Sequence, residues 1–183
     1  MISHLRTRIL VLFVSLILAS ATIVLFPRVP ILVVLALFWL DKMGVEFFSI
    51  ISYLGAEIVT FATVILGLMF GPVAALIIGI VFITAFHSCK FLIIPMPTRW
   101  PMFVPSPTDI IHAIGGCIAG FLVGLPFFSA FIIVIGIKTV LFAFYDLYWK
   151  GKPIDFVAAG LNIIFNLLFY VLVGVSLLTM MGL

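Results

Sequence analysis

Residues 56–88 read AEIVTFATVILGLMFGPVAALIIGIVFITAFHS: two apolar runs joined by Gly71-Pro72, with Glu57 at one end and His87 at the other. Proline fixes φ and lacks an N–H, so it suits the first position of a helix and breaks the interior of one. A glycine just before it can take the left-handed backbone that closes the preceding helix. The stretch therefore predicts a central hairpin of two short membrane helices. Gly67, Ala75 and Gly79 recur at spacings of eight and four. Small residues so placed leave surfaces on which neighbouring helices approach closely.

Composition sets the class around that hairpin. Of the residues 66% are hydrophobic and 8% charged, against about 25% charged in a water-soluble domain. The expectation is an all-α polytopic transmembrane bundle of six or seven helices, a single integral domain over residues 1–183, multi-pass in the cell membrane. The long apolar runs lack the period-two alternation of a membrane barrel. A net charge of +3 spread along the chain argues against a nucleic-acid partner. Cys89 and Cys117 form no CxxC and imply no disulfide framework.

Residues 1–26 combine Arg6 and Arg8 with an apolar run. They read as a first helix or an uncleaved signal anchor, although Ala19-Ser20-Ala21 resembles a cleavage site. Pro27 and Pro30 mark a turn. Residues 30–54 carry Asp41, Lys42 and Glu46 between apolar stretches. They read either as one interrupted span or as a half-span followed by a surface segment. Residues 89–108 hold Pro95, Pro97, Pro101, Pro105 and Pro107, a density that predicts a stiff extended loop. Thr108 or Asp109 is expected to cap a helix over 109–124, whose Gly116, Gly120 and Gly124 predict a close-packing row. A helix over 127–148 ends in the interfacial aromatics Tyr145, Tyr148 and Trp149. The turn at Lys150-Gly151-Lys152-Pro153 leads to a last helix near 154–181.

Orientation follows from the basic residues. Seven crossings with the N-terminus inside put Arg6, Arg8, Lys42, Lys90, Arg99, Lys150 and Lys152 inside and Arg28 alone outside, which obeys the positive-inside rule.

Ionisable and amide side chains within apolar spans are costly and mark interior contacts or ligand paths. Lys138, near the middle of its helix, is the foremost candidate for a binding or structural charge pair. Glu57 is expected near the ligand or at its helix dipole, and Asn162 and Asn166, four apart, share one face. His87, Cys89, Asp109 and His112 flank the proline-rich loop on one side of the membrane. That is a transition-metal donor set in kind, but its spacing matches no strong signature, so no metal and no cofactor are expected. The six acids lie scattered along the sequence. No GxSxG, HExxH or phosphate-binding loop is present, and no catalytic residues are expected.

The run GLMFGPVAALIIGIV, the chain length and the asparagine-bearing LNIIFNLLF resemble substrate-binding S components of energy-coupling factor (ECF) vitamin transporters, over about residues 44–181. The resemblance implies six helices with both termini inside, cupping a vitamin-like molecule or a metal near the outer face. It implies a membrane coupling subunit and two cytoplasmic ATPases in trans. It also puts Trp100, His87, Lys138 and Asn162 near the ligand. The chain is similar as well to MreD-type cell-shape proteins. That implies a scaffold binding other cell-envelope membrane proteins through its small-residue faces.

Overall fold

The computed structural model describes residues 2–45, 56–93 and 100–183, which form helices and turns. Glu46, the apolar residues 47–54, Pro95, Pro97 and Arg99 lie outside the described residues. Among those described there are seven helices. Helix α1 is Ile2–Leu25, and α2 is Pro30–Trp39 extended by a wide turn, Leu40–Gly44. Helix α3 is Val59–Phe70, α4 is Pro72–Ile93 and α5 is Pro107–Phe121. Helix α6 is Phe127–Phe144 with a wide turn to Trp149. Helix α7 opens as Phe156–Phe169 and, through the wide turn Tyr170–Gly174, ends as Val175–Met181. Four segments, Arg6–Leu25, Pro72–Ile93, Phe127–Trp149 and Phe156–Met181, are long and apolar enough to cross a membrane.

The hairpin forms for the reason its sequence suggests. Gly71 takes φ 83°, its N–H donates to the Gly67 carbonyl at 2.9 Å, and Pro72 opens the next helix. Helix α5 then lies along both arms. A Cβ at Gly67 would stand 2.1 Å from the Gly116 carbonyl oxygen, and one at Gly120 would stand 2.3 Å from the Pro72 nitrogen. Gly79 meets Ala113 in the same seam. Only glycine allows backbones this close. The order of these contacts makes α3 and α5 parallel, with α4 running against both.

Several sequence boundaries shift. Helix α5 ends at Phe121, so Gly124 lies in an open turn at φ 104° and the expected three-glycine row consists of Gly116 and Gly120. Its cap is Ser106 rather than Thr108 or Asp109. The Asp109 N–H donates to the Ser106 hydroxyl and the Ser106 N–H to the Asp109 carboxylate, a reciprocal capping box. Helix α4 absorbs residues 89–93 of the expected loop. Asp41 and Lys42 are buried in the wide turn that extends α2; the rest of the 30–54 segment, from Glu46 on, lies outside the described residues.

Helix α3 is the centre. With 12 residues it extends about 18 Å at 1.5 Å per residue, well short of a bilayer core, and its residues from Val59 to Gly67 are all buried. The Phe61 ring packs on Phe127, Phe131 and Phe169 at centroid distances of 5.2, 5.8 and 5.4 Å. The wide turn in α7 brings Gly174 against the same ring, where a Cβ would stand 2.7 Å from it. Outward, α1 exposes Leu10, Phe13 and Ile17, and α7 exposes Leu168, Val171 and Leu172. Such an apolar exterior suits hydrocarbon rather than water.

Successive helices alternate in direction, so α1, α3, α5 and α7 begin at one end of the bundle and α2, α4 and α6 finish there. The two termini consequently lie at opposite ends. Apart from Arg28, the charged side chains of the described residues gather toward the end where α3, α5 and α7 begin.

A polar cavity at one end of the bundle

A helix start leaves four backbone N–H groups without helical partners and carries a partial positive charge, so carboxylates favour it. The starts of α3, α5 and α7 meet at this end, and each has its own acid. Asp41, arriving from α2, accepts the N–H groups of Ile58 and Val59 and thereby caps α3. Asp109 completes the capping box of α5. Asp155 caps α7, accepting from the Ala158 N–H at 2.9 Å. Two further acids pair with lysines: Asp146 with Lys150, just after the wide turn of α6, at 2.7 Å and Glu57 with Lys138 of α6 at 2.8 Å. The five acids among the described residues, scattered in the sequence, thus converge here, each with a definite partner.

Lys138 is 2% exposed. Its ammonium donates to Glu57 Oε1 and to the Thr60 hydroxyl, which itself donates to Glu57. Room for the aliphatic stem comes from Gly115 on α5, where a Cβ would stand 2.8 Å from Lys138 Cδ. One turn along α6, the Phe142 ring lies 5.8 Å from the ammonium and 5.4 Å from the His112 ring. The second oxygen of Glu57 is 3.7 Å from His112 Nε2. Glu57 is therefore gripped from behind by Lys138 and Thr60 and offers its other oxygen forward.

In front of it is a cavity of about 430 Å³, within the range of small-molecule sites. Glu57, His87, His112 and Asn162 form polar walls, with Asp41 and Lys42 beside them. Asp146, Lys150 and Asp155 complete the rim, and Phe142, Ala158 and Ala159 supply apolar surface. His87 Nδ1 lies 3.1 Å from Asp109 Oδ1. The carboxylate at that nitrogen orients the ring, with Nδ1 toward Asp109.

The six candidate residues separate into two groups. Glu57, His87 and Asn162 line the cavity. Lys138 stands one layer behind, reaching the cavity through Glu57. Asn166 is buried; its Nδ2 donates to the Asn162 carbonyl and side-chain oxygens at 2.9 and 3.2 Å, so it orients Asn162. Trp100 is exposed and borders a separate shallow groove with Ser88, Met102 and Asp109 on the other flank of His87. Cys89 packs against Met43. Among the described residues, no three His, Cys, Asp or Glu side chains come together to hold a metal. The donor set that flanks the proline-rich loop therefore does not assemble.

Sequence reading passed over His112 as a cavity wall, and likewise Asp41, Asp146 and Asp155. Two signals were present: an acid ahead of an apolar run, which marks a helix start, and the Asp146–Lys150 spacing of four. Among the described residues, fold and site together define a helical protein with four helices long and apolar enough to cross a membrane and a polar cavity at one end. Comparison with protein-family models, with curated proteins and with solved structures finds no match to this chain.

Proposed function

We propose that this chain is a multi-pass membrane subunit that binds a small polar molecule in the cavity and performs no catalysis of its own. The carrying observation is Glu57: a carboxylate fixed by Lys138 and Thr60 on one side and open to a cavity of about 430 Å³ on the other. A fixed acceptor facing a cavity serves recognition, because the ordering cost is met before the ligand arrives. The alternation of seven helices supports seven crossings, with the short α3 buried among its neighbours.

An ECF-type importer is the particular form of this reading that the sequence resemblance suggests. It adds a vitamin-like solute, a membrane coupling subunit and cytoplasmic ATPases in trans, since nothing in the chain reads as a nucleotide site. The MreD-like scaffold draws less support. Its partner surfaces would be the small-residue faces, yet Gly67, Gly79, Gly116 and Gly120 are spent on contacts among α3, α4 and α5 inside the fold.

Purification in mild detergent with mass spectrometry of co-purifying species tests the proposal. We expect a stoichiometric small polar molecule that is lost from Asn162→Leu, whose side chain lines the cavity. Neither ligand nor ATPase subunits, with only cell-envelope membrane proteins attached, would favour the scaffold instead.

A further inference from the structure

The cavity has one open end, and the chain's charges say which compartment that end meets. Its rim is built by Asp146, Lys150 and Asp155, next to the exposed Tyr148 and Trp149. Exposed aromatic side chains beside a charged turn are the signature of a membrane–water boundary. Toward the other end the cavity meets a floor: the Lys138–Glu57–Thr60 cluster, and beneath it the fully buried rings of Phe61 and Phe131. Gly174 is pressed on the Phe61 ring, where a Cβ would stand 2.7 Å from it. Among the described residues the cavity is closed at that end.

The basic residues are distributed unequally between the two ends. Met43 packs against Val11 of α1, and Gly44 faces Leu12. Arg6 and Arg8 accordingly lie further out at the cavity end, with Lys42, Lys90, Lys150 and Lys152. Arg28, in the turn between α1 and α2, is at the opposite end. Lysine and arginine in short connections stay on the cytoplasmic side of a membrane.

We infer that the cavity opens only to the cytoplasm and draws its ligand from the cytoplasmic pool. This rests on the binding reading above and gives it a direction, opposite to the outer-face capture implied by the ECF resemblance. Solute from outside would have to part the Phe61 cluster to reach Glu57.

The test is cysteine accessibility in the full chain, with Cys89 and Cys117 first replaced by alanine. Single cysteines are placed as Lys152→Cys in the exposed turn at the cavity end, Ala158→Cys in the cavity wall and Val123→Cys in the opposite turn. A membrane-impermeant maleimide is applied to right-side-out and to inverted vesicles. The expected result is label on Lys152→Cys and Ala158→Cys in inverted vesicles alone, and on Val123→Cys in right-side-out vesicles alone. Label on Ala158→Cys from the outside, alone or as well, overturns the inference but leaves a water-filled cavity and the binding proposal intact. Ala158→Cys unlabelled from both sides, while Lys152→Cys reports normally, overturns both.

Discussion

At the scale of the residue, Lys138 shows how a buried charge is made tolerable. Its ammonium has a carboxylate, a hydroxyl and an aromatic face, so removing one partner strands the other. Breaking a buried ion pair costs about 3–5 kcal/mol, whereas replacing both partners with neutral groups is far milder. Lys138→Met is thus expected to lower the unfolding midpoint in detergent strongly, and Lys138→Met with Glu57→Gln to recover most of the loss. Additive losses in the double variant would refute the pairing. Gly115→Ala attacks the same cluster sterically, since its Cβ would meet Lys138 Cδ at 2.8 Å. Overpacking of this kind costs about 1–3 kcal/mol, and here it should also weaken retention of the co-purified ligand by displacing Glu57. Lys138 was conspicuous in the sequence, being a charge amid apolar residues. That it serves Glu57 rather than facing the cavity depends on α3, 78 residues away along the chain.

At the scale of the element, the glycine seam joins the α3–α4 hairpin to α5. Gly67→Ala puts a methyl group 2.1 Å from a backbone oxygen. Backbone cannot swing aside as a side chain can, so the helices must separate. We expect Gly67→Ala to lose folded protein in detergent, while Gly136→Ala, with nothing within 4 Å of its Cβ, leaves the melting curve unchanged. Equal behaviour of the two would show that the seam is not close-packed. The caps are a milder determinant. Asp155→Ala removes the acceptor for the Ala158 N–H and should cost about 0.5–2 kcal/mol, as N-cap losses do. Hydrogen exchange confined to the first turn of α7 is the readout. The Gly71-Pro72 turn was legible because it depends on two adjacent residues. The end of α5 at Phe121 was not, because the same glycine spacing continues to Gly124 and only the fold shows where backbones meet.

At the scale of the whole molecule, the alternation of the seven helices among the described residues separates the termini. A reporter fused after Leu183 should read as external and one fused before Met1 as cytoplasmic; matching readings from the two would require an even number of crossings. Composition and run length alone determined that this chain is helical and apolar outside, because hydrocarbon admits few other backbones. Local chemistry determined the hairpin, since proline and glycine act on their immediate neighbours. The gathering of acids at one end was decided only by tertiary structure. Asp41, Asp109 and Asp155 are far apart in sequence, and each answers a different helix start. The starts come together because the helices alternate in direction and pack side by side. The cavity arises in the same way: Glu57, His87, His112 and Asn162 come from four separate segments, and no local pattern records the space that packing leaves between them.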